Sequence, residues 1–321
     1  MKVLITGASG FLGRTVVAHA LAAGHEVRTF QRRPSGVDGA SDELGSVTDA
    51  GDVERAMDGM EAVIHLAAKV SLAGDLAEFA AVNITGTQTM LDAARRHGVQ
   101  RFVQVSSPSV AHAGHSIVGD DALPADPEHA RGDYARTKAA GELVALAADS
   151  PELHVVAVRP HLVWGPGDTQ LVERVVERAR AGRLPLLGDG TALIDSTYVD
   201  NAASAIVAAL HRADVAHGQA YVVTNGEPRM VAELLEGICL AAGVRPPRWK
   251  VPASLARAAG GAIERVWAVR PGVDEPPMTR FLAEQLSTAH WFDQRRTRRD
   301  LDWTPEVSVE DGLARLAVSY R

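Results

Sequence analysis

Tyr134 and Lys138 stand four residues apart in the segment Asp133-Tyr134-Ala135-Arg136-Thr137-Lys138. On a helix, residues at that spacing share a face, so a phenol and an ammonium lie side by side. A free tyrosine ionises near pH ~10, and a neighbouring cation favours its ionised form. The pair suits proton exchange with the oxygen of an alcohol or ketone. The spacing alone also occurs on ordinary helix surfaces, so its company matters. Ser106 and Ser107 follow an apolar run, residues 101–105. A serine hydroxyl at the carboxyl end of a strand can polarise a carbonyl. Asn83 opens the helical pattern before that strand. Two roles stay open for it: holding a water or backbone near Lys138, or capping its helix.

A second constellation lies at the N-terminus. Gly7, Gly10 and Gly13 follow the apolar run Val3-Leu4-Ile5 and lead into an alanine-rich helical stretch. Glycines there let backbone amides approach a pyrophosphate, and the helix N-terminus supplies free N–H groups and partial positive charge. The second strand ends in Thr29-Phe30-Gln31-Arg32-Arg33, with no acid for the ribose hydroxyls of NAD. An arginine in that place pairs with a 2′-phosphate. This favours NADPH over NAD, with Arg32 ahead of Arg33, unless both are solvated loop charges.

These groups need a scaffold. Apolar runs at 3–5, 26–30, 62–66, 101–105 and 154–158 alternate with helical patterns at 15–23, 83–96 and 134–148. Continuous rather than alternating runs imply strands covered on both faces, hence an α/β fold with a doubly wound parallel sheet of the Rossmann kind. The second half is less regular, and all five tryptophans fall between Trp164 and Trp303. The expected division is a dinucleotide-binding domain at 1–165 and 195–225, and a smaller C-terminal substrate domain at 166–194 and 226–321.

Composition narrows the function classes. The chain has 321 residues, a net charge of −7 and one cysteine, Cys239. An acidic chain lacks the general attraction to phosphate backbones that nucleic-acid binders use. The basic run Arg295 to Arg299 reads as a solvated helix face. A lone cysteine between Ile238 and Leu240 reads as a buried hydrophobe and fits a reducing cytoplasm. No apolar stretch is long enough for a membrane span. The twelve histidines are scattered, so no metal is expected, and His112 and His115 are read as flanking a substrate mouth. Leu255, Ala259, Ile263 and Trp267 recur at helical spacing, with Arg257 and Glu264 elsewhere on the helix. Three readings stay open for that stripe: an acyl-chain tunnel, peripheral contact with a membrane, or packing on its own core.

The order glycine turn, Asn83, Ser107, Tyr134, Lys138 resembles the extended short-chain dehydrogenase/reductases, in the branch containing 3β-hydroxysteroid dehydrogenases. His65-Leu66-Ala67-Ala68, residues 159–168 and Tyr198-Val199-Asp200-Asn201 agree with it. In the second half, Gly188-Asp189-Gly190, residues 224–228 and residues 275–286 are similar to bacterial 2-alkyl-3-oxoalkanoate reductases of long-chain olefin synthesis. The resemblance implies catalysis by Ser107, Tyr134 and Lys138, with Lys138 keeping the phenol pKa low. It implies dinucleotide contacts from Gly7, Ser9, Gly10, Phe11, Leu12, Gly13, Ala67, Ala68, Asn83 and Pro160, with Ser106 against the nicotinamide. Ser46 falls where many relatives carry an aspartate toward the adenine. The implied reaction is NADPH-dependent reduction of a 2-alkyl-3-oxoalkanoic acid to its 3-hydroxy acid. Substrate-carboxylate contacts are sought among His115, His161 and Arg280. The competing readings are NAD-dependent oxidation of a 3β-hydroxysteroid or sterol-4-carboxylate, a nucleotide-sugar epimerase or dehydratase, and a non-catalytic dinucleotide sensor. A homodimer, and association with other enzymes of the pathway, are expected by analogy.

Overall fold

The computed structural model describes residues 1–70, 74–112, 114–268 and 280–321. Residues 275–279 of the second-half motif lie outside the described residues, as do the side chains of Glu264, Trp267, Arg280, Phe281 and Leu282.

Seven strands form the main sheet: β1 (Lys2–Thr6), β2 (Glu26–Gln31), β3 (Ser41–Leu44), β4 (Ala62–His65), β5 (Arg101–Val105), β6 (His154–Pro160) and β7 (Gln219–Val223). Their spatial order is β3-β2-β1-β4-β5-β6-β7, and every neighbouring pair is parallel. The apolar run of β1 shows why the sheet is covered on both sides. Val3 and Ile5 join one core cluster, and Leu4, pointing the other way, joins the second. Helices α1 (Phe11–Ala22) and α7 (Val199–His211) cover the first face. Helices α2 (Ala50–Met57), α4 (Gly86–Arg96) and α5 (Gly132–Ala147) cover the other. Strand order reverses between β1 and β4, and in such sheets the crevice at the strands' carboxyl ends is where ligands bind.

The elements differ from the sequence expectation in three places. Helix α1 begins at Phe11, so its N-terminus sits directly on the glycine turn. Strand β3, of sequence Ser-Asp-Glu-Leu, has no apolar run to announce it; it is an edge strand held by its pairing with β2. Asn83 is not a cap. A short helix α3 (Leu76–Ala80) continues through a π-helical turn, Ala81–Thr85, into α4. The backbone entering the turn at Ala80 is already helical, so the amides there have partners and the Asn83 side chain is released for other contacts.

Beyond β6 the chain builds a second core from Trp164, Val175, Leu234, Ile238 and Leu316, with Phe11 and Leu12 of α1 packed against it. Helix α6 (Val172–Arg180) presents Val172, Val175 and Val176 to this core. A small sheet runs Arg229–Met230, Leu193–Ile194, His290–Phe292, Ile117–Asp120, joining segments far apart in sequence. Cys239 is buried. The basic run is only partly a solvated face: Arg296 lies over the Tyr221 ring at 4.5 Å and pairs with Asp121, and Thr297 Oγ1 donates to the Val222 carbonyl at 2.9 Å. Among the described residues no helix is long and apolar enough to cross a membrane, and no group of three metal-ligating side chains comes together.

Candidate active site

The glycine turn owes its shape to two close approaches. Gly7 has φ +72°, and a Cβ on it would meet the Ala67 amide nitrogen at 2.9 Å. A Cβ on Gly13 would meet the Gly7 carbonyl oxygen at 2.3 Å. The first glycine thus lets β1 turn beneath the loop after β4, and the third lets α1 press onto that turn. Gly10 caps α1 without a side-chain hydrogen bond, which leaves first-turn amides to a ligand. Ser9, Phe11 and Leu12 flank this turn, and Ala67 is fixed by its amide donating to Thr6 Oγ1 at 2.9 Å.

A chain of hydrogen bonds runs from there to the helix carrying Tyr134. Thr6 Oγ1 meets His65 Nδ1 at 2.8 Å, and His65 Nε2 meets Thr87 Oγ1 at 3.3 Å. Thr87 Oγ1 donates to the Asn83 carbonyl at 2.9 Å. Asn83 Oδ1 accepts from the Lys69 amide at 2.8 Å, and Nδ2 donates to Thr137 Oγ1 at 3.0 Å. Of the two roles open to Asn83, the structure selects backbone fixation: it ties the loop after β4 to α5. Gly141 permits this, since a Cβ there would lie 2.1 Å from the Asn83 carbonyl oxygen.

Helix α5 points Lys138 into the sheet. Its Nζ donates to the carbonyl of Val105 at 2.7 Å, one residue before Ser106. Burial pushes Lys138 down to about 8, against the opposing pull of Glu142. Glu142 is itself buried and clamped by Arg159, whose Nε donates to it at 2.9 Å. The phenol of Tyr134 is pushed up to about 12 by burial, with a Ser107 hydrogen bond working the other way. The expectation that Lys138 holds the phenol's pKa low is therefore corrected: burial outweighs the other influences on Tyr134, and Lys138 Nζ makes its hydrogen bond to the Val105 carbonyl instead. Tyr134 stands as a protonated donor, with Ser107 as its hydrogen-bond partner. Ser107 also caps the short 3₁₀ turn Pro108–Ala111 and accepts from Ser109 Oγ at 3.0 Å.

The residues present fit a dinucleotide. Besides the glycine turn, Ser106 Oγ is buried at the end of β5 with no hydrogen-bond partner, as a group awaiting a ligand amide would be. Pro160 closes β6 at the same end of the sheet. Arg32 and Arg33 are exposed and carry no ion pair among the described residues. The absence of an acid after β2 is only local. The neighbouring strand supplies Asp42, which accepts from Gln31 Nε2 at 3.1 Å and from Thr29 Oγ1. Desolvation opposes its charge, but the hydrogen bonds from Thr29, Ser35 and Gln31 prevail and its pKa is lowered. Ser46 lies just past β3, its hydroxyl 2.7 Å from Thr48 Oγ1.

A cavity of about 250 Å³ opens beside Tyr134 and Ser107. Its walls are mostly apolar, among them Ile117, Leu162, Val175, Leu184, Leu235 and Phe292. His112, His161 and His290 form a polar pole, with His112 Nε2 and His290 Nε2 at 2.9 Å. Burial pushes His161 down to about 4 and His290 to about 3, so both are neutral at ordinary pH. Of the residues sought for a substrate carboxylate, His161 lines the cavity and His115 is exposed outside it. The sequence reading missed Arg174 and Arg178 of α6, which line the cavity, and His290, which only the small sheet brings to His112.

Comparison with known proteins places this geometry. Residues 3–224 match the NAD dependent epimerase/dehydratase family. The chain is 41% identical to a 2-alkyl-3-oxoalkanoate reductase from Stenotrophomonas maltophilia, covering 99% of both chains. It is 32% identical to a 3-beta-hydroxysteroid dehydrogenase from Mycolicibacterium neoaurum, covering 99% of this chain and 90% of that one. Among solved structures, a dTDP-glucose 4,6-dehydratase from Streptomyces venezuelae with NAD bound superposes with a TM-score of 0.76 at 26% identity, over 100% of this chain and 97% of the other. A sheet wound about the glycine turn, a tyrosine–lysine helix beside it and relatives matched end to end agree: the chain belongs to the NAD-dependent epimerase/dehydratase family, as an extended short-chain dehydrogenase/reductase that exchanges hydride between a nicotinamide dinucleotide and a CH–OH or ketone carbon.

Proposed function

We propose that this enzyme uses NADPH to reduce a 2-alkyl-3-oxoalkanoic acid to the 2-alkyl-3-hydroxyalkanoic acid. The observation that carries the reading is a protonated Tyr134, paired with Ser107, facing a mostly apolar cavity in a chain so similar to a reductase of that substrate class. Residues 1–165 and 195–225 would hold the dinucleotide, and 166–194 and 226–321 would cover the substrate.

A dinucleotide held by the glycine turn and Ser106 would supply the hydride for the ketone carbon. Ser107 hydrogen-bonds the carbonyl oxygen as negative charge gathers there, and Tyr134 delivers the proton to that oxygen. Lys138 fixes the end of β5, and with it Ser106 and Ser107, through the Val105 carbonyl. Its remaining donors are available to the ribose. Arg32, exposed just past β2, would pair with the 2′-phosphate.

The test is Tyr134→Phe. Its kcat should fall by about 10²–10⁴-fold, with NADPH affinity unchanged by fluorescence titration. Turnover close to wild type would remove the phenol from the chemistry. A 3β-hydroxysteroid assayed in parallel with NAD decides the competing reading, to which the 32% identical steroid dehydrogenase lends support. Efficient steroid oxidation with no turnover of the oxo acid would replace the proposal.

A further inference from the structure

We propose that His161 and His290 form a neutral donor–acceptor seat, which takes the carboxyl group of the substrate together with its proton. The inference rests on the substrate class proposed above and deepens it. Both residues line the cavity that Tyr134 and Ser107 also line, His161 being 6% exposed and His290 1%. One residue places the two: the Asp195 carbonyl accepts from His161 Nδ1 at 2.7 Å, and the Asp195 amide donates to the His290 carbonyl at 2.9 Å.

The hydrogen bonds fix where each ring carries its proton. His161 spends its Nδ1–H on Asp195, so its Nε2 is a bare acceptor, to which no described residue donates. His112 Nδ1 accepts from the Gly114 amide at 3.3 Å, which puts the proton of that neutral ring on Nε2. This N–H donates to His290 Nε2 at 2.9 Å, and Thr288 Oγ1 lies 3.0 Å from the same nitrogen. With Nε2 accepting, neutral His290 carries its proton on Nδ1, a buried donor with no hydrogen-bond partner among the described residues. Burial lowers the pKa of all three rings and keeps them neutral. The charges of Glu284, His115 and Arg131 also act on His112, and Arg174 and Arg178 line the same cavity. The ring centroids of His161 and His290 are 5.8 Å apart, edge to face, close enough for the two oxygens of one carboxyl to reach both. Its carbonyl oxygen accepts from His290 Nδ1, and its hydroxyl donates to His161 Nε2. A carboxylate would offer His161 only lone pairs, so near neutral pH the acid binds with a proton taken up from solvent. The reacting ketone is left to Tyr134 and Ser107, and the alkyl chains to walls such as Leu184 and Leu187.

A 3-oxo acid loses carbon dioxide on standing, so the probes are a 2-alkyl-3-hydroxy acid, its primary amide and its methyl ester, oxidised with NADP⁺. The amide is neutral and presents the same acceptor and donor, so at pH 7 it should match or exceed the acid in kcat/KM. The ester lacks the donor and should fall below the amide about tenfold, the scale of one hydrogen bond. Calorimetric titration of the NADPH complex with the acid, in buffers of different ionisation enthalpy, should show about one proton taken up per acid bound. His161→Phe and His290→Phe should erase the amide's advantage over the ester. His161→Gln and His290→Asn restore an acceptor and a donor at the same places and should recover part of it. A wild type that favours the acid over the amide, or binds the acid with no proton uptake, overturns the seat and leaves the proposed function standing. An amide-to-ester ratio unchanged in all four variants does the same. A wild type that oxidises none of the three compounds with either cofactor overturns the proposed function itself.

Discussion

Lys138 loses its proton at about 8, whereas Tyr134 keeps its own to about 12. The reductive kcat/KM, which reports the free enzyme, should therefore fall with one proton as pH rises through about 8, and no phenol limb should appear below pH ~11. Lys138→Arg keeps its charge far beyond that range, so the limb should vanish in whatever activity remains. A pH profile from 6 to 10 reads both, and a limb that persists in the arginine variant would acquit the lysine. Arg32 makes a second prediction at this scale. Its replacement by alanine should raise KM for NADPH about tenfold, the worth of one charged hydrogen bond, with KM for NADH unchanged. Equal effects on both cofactors would count against a 2′-phosphate contact. Tyr134, Lys138 and Ser107 were legible in the sequence because residue type and local spacing define them. Arg174 and Arg178 were not: Val172, Val175 and Val176 mark the buried face of α6, but nothing in the local sequence says that a cavity runs beside that face until the core beyond β6 is assembled.

At the scale of elements, α5 meets the π-helical turn at Asn83 with less room for a Cβ than any other described glycine has. Gly141→Ala would set a methyl 2.1 Å from a backbone oxygen that cannot swing away. Destabilisation of about 1–3 kcal/mol should follow, as for other overpacked interfaces, and activity should drop with it because Tyr134 and Lys138 ride on the same helix. Gly261 is the control, since a Cβ there meets nothing within 4 Å. Its alanine variant should be neutral or slightly more stable in urea titrations. Equal stabilities for the two variants would mean the helices can part at no cost. The regular strands β1, β2, β4, β5 and β6 were readable from apolar runs because both faces of the sheet are covered. The edge strand β3 was not, since a strand half in water carries no such run, and with it went Asp42. The π turn was hidden too: an asparagine ahead of a helical pattern looks like a cap unless the preceding residues are known to be helical already.

Across the whole molecule, neutral histidines are buried where their charged forms are disfavoured. His65 is pushed down to about 3, His161 to about 4 and His290 to about 3, in each case chiefly by burial. Below pH ~6.5 the unfolded chain binds protons at these sites that the folded chain refuses, so stability must fall as pH drops. Each site contributes at most about 1.4 kcal/mol per pH unit in that window. Asp195, raised to about 6 by burial, and Asp168, also raised by burial, work in the opposite sense, but His25, His112 and His211 are lowered by burial as well, so the histidines outnumber the carboxylates. Urea midpoints should therefore decline from pH 7 to pH 5, and a flat or rising series would refute the assignment.

The walls of the cavity come from Tyr134 and stretches around 107–117, 161–194, 235 and 285–292, whereas the dinucleotide contacts proposed above cluster before residue 108 and at Tyr134, Lys138 and Pro160. Substitutions accumulating in the latter half of such a gene can thus redraw the shape and charge of the chamber while redox parts inherited in the first half stay as they were.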